Sequence, residues 1–176
     1  DDVTKSMYAE DLEANLQDLS ARLKRMGYCP QPKRRTYIPK PGSEKGRPLG
    51  ISSFEDKIVE LATKRVLEPI FESMFEDCSY GYRPRRSPHH CIDVLGKTIQ
   101  QKRVNYIVEA DIRGFFDAID HDWMIRFLEH RIGDKRVIRL VRKWLKAGVL
   151  EDGKVDQPEA GTPQGGSVSP FLANVY

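Results

Sequence analysis

Apolar positions recur at three- and four-residue intervals early in the chain. Leu12, Leu16, Leu19 and Leu23 fall at helical spacing with acids between them, which predicts one amphipathic helix over residues 7–26, ended by Gly27. Pro30 and Pro32 mark a connector, and short apolar stretches at 36–39 and 49–51 predict two strands around the turn Pro41-Gly-Ser-Glu-Lys-Gly46. A helix is expected from about Ser53, with Glu55 and Asp56 in its first turn and Ile58, Val59, Ala62, Val66 and Leu67 along it. Pro69 should break it. Ser87-Pro88 opens a further helix to about Gln101. Tyr106-Ile-Val108 then drives a strand, expected to be buried, into Asp111. Asp120 caps a helix beginning at His121, and Gly133-Asp134 ends it. The next helix, Lys135 to Lys146, has two faces: Arg131, Lys135, Arg139, Arg142 and Lys146 share one arc, with Val137, Val141, Trp144 and Leu145 opposite. A hairpin over 149–159, turning at Asp152-Gly153, completes an α+β reading.

The 176 residues suffice for one sizeable core, or for two lobes that share one. Net charge is only +3, but it is unevenly placed. Residues 1–20 hold six acids against Lys5, whereas Lys33, Arg34, Arg35, Lys40, Lys45 and Arg47 stand against Glu44 alone. Arg83, Arg85 and Arg86 form a second cluster. Bases concentrated on a near-neutral chain, in stretches broken by Pro, Gly and Tyr, point to a local polyanion site; a solvated surface is the alternative. For the arc on the 135–146 helix the solvated surface is the preferred reading and an RNA phosphate track the sharper one. Cys29, Cys78 and Cys91 show no metal-ligand spacing and leave one thiol unpaired, which predicts reduced thiols in a cytoplasmic setting. No apolar run approaches membrane-spanning length, so no membrane partner is expected.

The chemistry centres on Glu109-Ala-Asp-Ile-Arg-Gly-Phe-Phe-Asp-Ala-Ile-Asp-His121. A carboxylate at a strand end, beside a glycine turn and two aromatics, suits a divalent cation held against a phosphate. A turn-forming or helix-capping aspartate is the plainer alternative, and it is the preferred reading for Asp117 and Asp120. Gly161-Thr-Pro-Gln-Gly-Gly is a polar, glycine-rich loop whose backbone can approach a ligand closely.

Four segments in order carry a family resemblance: Tyr37-Ile-Pro-Lys-Pro-Gly-Ser-Glu-Lys-Gly-Arg-Pro-Leu-Gly-Ile51, Ser79-Tyr-Gly-Tyr-Arg-Pro-Arg-Arg-Ser87, the Asp111 segment, and Gly161-Thr-Pro-Gln-Gly-Gly-Ser-Val-Ser-Pro170. Together they resemble the reverse transcriptase of group II introns, the intron-encoded maturases, from about Gln31 to Tyr176. The acidic start resembles that family's helical N-terminal extension less distinctly. The resemblance implies the fingers and partial palm of a right-hand polymerase. Fingers with the extension would span 1–84, the first part of the palm 85–120, a return to the fingers 121–164, and the palm again 165–176. It implies Mg²⁺ held by the Asp111 carboxylate, the first catalytic aspartate, and by the Ile112 carbonyl. It implies a nucleotide site of Lys40 and Arg47 on the triphosphate, Phe116 under the sugar and Gln164 on the incoming nucleotide. Lys45 rivals Lys40, and Phe115 is expected to be core. Arg34, Arg35, Arg83, Arg85 and Arg86 are candidates for RNA backbone contact.

Implied partners are intron RNA, an RNA template with its DNA primer, and deoxynucleoside triphosphates, in a bacterial cytoplasm. The family's second carboxylate motif, Tyr-x-Asp-Asp, does not occur. The 176 residues are therefore expected to be a fragment, inactive alone, with a half-palm exposed enough to self-associate. The function implied is RNA-directed DNA synthesis in intron mobility. The alternatives are an RNA-binding splicing cofactor whose polymerase activity is secondary, and a retron-type or diversity-generating reverse transcriptase. The Gly81-Tyr-Arg-Pro-Arg-Arg-Ser87 stretch favours group II.

Overall fold

In the computed structural model, residues 3–40, 42–157, 160–162 and 165–176 are described, without the side chains of Lys40, Ser43, Glu44 and Lys45. Two N-terminal helices, α1 (Lys5–Ala9) and α2 (Leu12–Lys24), replace the single helix expected. The break follows from local bonding. The Asn15 side chain donates to the Tyr8 carbonyl at 3.0 Å, closing α1 one turn early. Of the leucine stripe, Leu19 is buried and Leu23 half-buried, while Leu12 and Leu16 stay exposed.

Strands β1 (Lys33–Lys40) and β2 (Ser43–Ile51) pair antiparallel, with Arg34 opposite Ile51 and Ile38 opposite Arg47. The hairpin is longer than the sequence pattern suggests, because cross-strand bonds extend it into the polar positions on both sides of the turn. β1 also pairs in parallel with β3 (Val149–Glu151), which turns through Asp152 and Gly153 into β4 (Lys154–Asp156). The sheet order is β2-β1-β3-β4.

Helix α3 (Phe54–Glu72) starts on a Ser53 cap and runs through Pro69 instead of breaking. Proline in the last turn removes a single hydrogen bond at an exposed position, while Leu67 and Phe71 on the other face are locked in the core. The core joins α2 and α3 to α5 (His121–Glu129), α6 (Lys135–Lys146) and α7 (Ser169–Val175) through Leu19, Leu67, Phe71, Met124, Leu128, Val141, Trp144 and Phe171. Tyr28 is buried beside it and donates to Asp56. Burial first, then that carboxylate, holds its phenol far above the ordinary range.

Two segments stand apart from this core. Helix α4 (Pro88–Gln101) is capped by Ser87 as expected but buries no residue; Ile92, Val94, Leu95 and Ile99 are exposed. The stretch 104–112 is not the buried strand expected. It forms no strand with the described residues, and Tyr106 and Val108 are 90% and 89% exposed. A strand exists only where a neighbour takes its backbone hydrogen bonds, and this stretch pairs with no described strand.

Helix α6 shows how local chemistry sets an element's start. Asp134 caps it, accepting from the Arg136 amide at 2.8 Å, and its carboxylate grips the Arg136 guanidinium at 2.7 Å. These bonds, the guanidinium foremost, lower the Asp134 pKa from 3.8 to about 2. The folded value lies below the unfolded one, so this contribution to stability is present above pH 4 or so and is lost as pH falls toward 2. Urea denaturation should show Asp134→Asn less stable than the unaltered chain at pH 5, with the gap closing by pH 2. A gap independent of pH would refute the assignment.

Candidate nucleotide and metal site

The chain reaches Asp111 along the extended 104–112 segment, and Gly114, at φ 64°, then folds it into a 3₁₀ turn over Phe115–Asp117. An L-residue with a side chain is disfavoured at that φ, so the turn depends on glycine. Asp111 is exposed and makes no ion pair with a described residue, and Ile112 beside it is exposed. Phe115 and Phe116 pack edge to face at 5.5 Å, both half-buried against the rim of the core. Phe115 also meets the Tyr176 ring at 6.1 Å. Asp120 caps α5, accepting from the Trp123 amide at 2.8 Å.

The loop 160–167 lies against this turn. Ala160 bridges Asp120, the Gly161 amide donates to the Ile119 carbonyl at 2.7 Å, and the Thr162 amide donates to the Phe116 carbonyl at 2.8 Å. The His121 ring nitrogen meets the Gly161 carbonyl at 2.6 Å. Gly161 has φ 89°, and a Cβ there would press the Asp117 and Phe116 carbonyls at 2.9 and 3.0 Å, so this contact also requires glycine.

The far end of the same loop reaches the β1–β2 hairpin. Gly165 sits so close to Gly50 that a Cβ would meet its carbonyl oxygen at 2.9 Å. The Ser167 amide donates to Glu60 Oε2 at 2.6 Å. Glu60 is fully buried (0% exposed); its Oε1 lies 3.1 Å from Lys33 Nζ and accepts from the Ser52 hydroxyl at 3.0 Å. The described ends of the loop thus meet the aromatic turn after Asp111 on one side and the β1–β2 hairpin on the other.

Arg47 lies on β2, exposed and without an ion pair among the described residues. The Lys40 side chain and Gln164, the other nucleotide candidates, lie outside what is described. The basic clusters separate into free and committed members. Lys33 leaves its cluster for Glu60. Arg35 is half-buried with its Nε 3.5 Å from Glu151, which also accepts from the Tyr37 hydroxyl. Arg34 is exposed.

Arg83 corrects the sequence reading. Its guanidinium is buried, holding Glu72 at 2.9 Å and the carbonyls of Glu76 and Ser79 at 2.6 and 2.9 Å. It braces the loop after α3 instead of facing solvent. Arg86 is half-buried, pairs with Asp77 at 3.0 Å and stacks over Tyr80, while Arg85, at φ 59°, is exposed.

Sequence reasoning missed Glu60 as a site residue. The signal was present: an acid in the buried phase of α3, in register with Asp56 and Leu67. His121 and Ser52 carried no comparable mark.

Reverse transcriptases as a family use divalent metal ions. Asp111 and the Ile112 carbonyl are hard oxygen donors on one exposed turn, the right chemistry for such an ion. No group of three or more His, Cys, Asp or Glu able to hold a metal occurs among the described residues.

Residues 38–176 match the reverse transcriptase (RNA-dependent DNA polymerase) family, and the chain belongs to it. Among its relatives is the group II intron-encoded protein LtrA of Lactococcus lactis subsp. cremoris, 43% identical over 164 residues, covering 93% of this chain and 27% of LtrA. Protein YkfC of Escherichia coli K12 is 39% identical, covering 99% of this chain and 46% of YkfC. Nuclear intron maturase 1 of Arabidopsis thaliana is 32% identical over 95 residues, covering 53% of this chain and 13% of that protein. The chain therefore spans between about a quarter and a half of its first curated relatives. In three dimensions it is similar to a partial Cas6-RT-Cas1–Cas2 complex, with TM-score 0.65 over 99% of this chain and 29% of the other, at 24% identity, which shows the shared fold. No helix among the described residues is long and apolar enough to cross a membrane.

Proposed function

We propose that this chain forms the fingers and first part of the palm of a group II intron reverse transcriptase, an RNA-directed DNA polymerase that also acts as a maturase. Fingers would occupy 1–84 and 121–164, and palm 85–120 and 165–176. The observation that carries this reading is the loop around 160–162 and 165–167, hydrogen-bonded at one end to the turn after Asp111 and at the other packed on Gly50 of the hairpin bearing Arg47 and hydrogen-bonded to Glu60 of α3. Substrate, in this reading, is a deoxynucleoside triphosphate laid along that seam, with RNA as template and DNA as primer.

Asp111 and the Ile112 carbonyl would hold Mg²⁺, which activates the primer hydroxyl and neutralises the triphosphate when bound. Arg47 offers a planar fork to phosphate oxygens, and Lys40 a point charge. Phe116 would sit beneath the sugar and disfavour a 2′-hydroxyl. Gln164 would contact the incoming nucleotide. Arg34, Arg35, Arg85 and Arg86, with the exposed arc of α6, are left to hold RNA by its phosphates, and Arg83 is withdrawn from that role. Intron RNA is the partner favoured by the relatives' names. The exposed apolar residues of α4 and of 104–112 favour self-association where no other surface covers them. The setting proposed is a bacterial cytoplasm.

The test uses a protein of the relatives' length that carries this chain, the full-length polymerase. It should extend a DNA primer on an RNA template when Mg²⁺ is supplied. Arg47→Ala should raise the KM for deoxynucleotide about tenfold, as expected when one charge-assisted contact of about 1.5–3 kcal/mol is lost. Failure to extend any primer on RNA would overturn the reading.

A further inference from the structure

The Lys33–Glu60 pair lies outside the catalytic groups, yet every oxygen of Glu60 is directed at the seam. Glu60 Oε2 takes the Ser167 amide of the nucleotide loop at 2.6 Å. Glu60 Oε1 takes the Ser52 hydroxyl at 3.0 Å, just after β2, and the Lys33 ammonium at 3.1 Å, at the start of β1. One carboxylate on a core helix therefore ties together both strands of the hairpin and the C-terminal arm of the loop. Gly166 lies directly over the pair: a Cβ there would overlap the Lys33 ammonium and approach Glu60 Oε2 to 3.3 Å. Gly165 also lies close to β2, where a Cβ would meet the Gly50 carbonyl oxygen at 2.9 Å.

A buried ion pair is a poor way to gain stability, since desolvation offsets most of the attraction. Its directional bonds do, however, set positions more sharply than apolar packing, and here they hold residues 165–167 against the hairpin that bears Arg47. We propose that Glu60 and Lys33 are positioning residues for the incoming nucleotide, holding residues 165–167 at a set distance from the β1–β2 hairpin so that both reach one triphosphate. This rests on the nucleotide-site reading above and deepens it.

The experiment compares two double variants of the full-length polymerase, each assayed well below its own melting temperature. Lys33→Met/Glu60→Met removes both charges and the acceptor while keeping volume, so no lone charge remains buried. Its KM for deoxynucleotide should rise about tenfold, with kcat and primer–template affinity within about twofold of the unaltered enzyme, because displacement of a binding loop weakens nucleotide capture. Lys33→Met/Glu60→Gln restores an acceptor for the Ser167 amide and should recover KM to within about threefold. A folded double-methionine variant with unchanged KM, or one losing kcat alone, would overturn the proposal. Arg47→Ala runs beside them. If it too leaves KM unchanged, the nucleotide reading itself fails and the positioning role falls with it. If Arg47→Ala raises KM and the methionine pair does not, only the positioning role is lost.

Discussion

Asp111→Ala in the full-length polymerase is expected to lower RNA-templated primer extension on the order of 1,000-fold or more, equivalent to about 4 kcal/mol of transition-state stabilisation. The carboxylate is exposed, and no described residue competes for it. Removing it should therefore disturb neither the core nor the sheet, and melting should be unchanged. Binding to intron RNA should stay within about twofold, because that affinity comes from lysines and arginines. Primer-extension rates and a salt series of RNA binding on the same preparation check both halves. Extension that survives the substitution would remove Asp111 from the metal site. Loss of RNA binding in parallel would mean that the segment serves RNA, and would favour the maturase role over polymerisation. Retained binding with lost extension would separate the two activities on one chain.

Lys33→Met alone is expected to destabilise the chain by about 3–5 kcal/mol, because it leaves the Glu60 carboxylate charged and uncompensated at a fully buried position. For a domain of this size that corresponds to a melting-temperature loss of roughly 6–20 °C. The double variant Lys33→Met/Glu60→Met should lie much closer to the unaltered protein, since an apolar pair of similar volume replaces an ion pair at little net cost. Thermal melts of these three proteins together with the single variant Glu60→Met form a double-mutant cycle. A single substitution no worse than the double one would show that the two groups do not interact, and would remove the electrostatic account of this contact. The stability cycle and the KM comparison are independent readouts of one pair: the first measures what the charges do for the fold, the second what they do for the loop.

Local patterns in the chain were decisive wherever a residue's effect is local. Ser87 and Asp120 cap helices where the sequence placed them, because their side chains reach amides three residues on, and Asp134, read in sequence only as the end of the preceding helix, caps α6 through the amide two residues on. Asp152-Gly153 turns a hairpin for the same kind of reason. The heptad-like arc of bases on α6 emerged as an exposed face. The single helix expected over 7–26 divided instead, because an asparagine seven residues on closes α1, a competition that periodicity does not register. Pro69 did not break α3, because tertiary burial of Leu67 and Phe71 outweighed one lost hydrogen bond.

The site divides along the same line. Asp111 is a candidate by residue type and position in its segment, and Phe116 and Arg47 by a resemblance to a family whose model matches residues 38–176. Which of the arginines are available did not follow from their clustering. Arg83 looked like its neighbours in sequence and is spent on Glu72 and two carbonyls. Lys33 looked like one more base in a cluster and is paired with an acid twenty-seven positions away.

The order of motifs, the helix caps and the glycine turn after Asp111 are properties of short stretches, so the amino-acid order settled them. Folding alone settled which charges are buried together, which loop meets which hairpin, and that 104–112 pairs with no described strand. Those outcomes depend on desolvation and on long-range contact, and neither is a function of a residue's immediate neighbours in the chain.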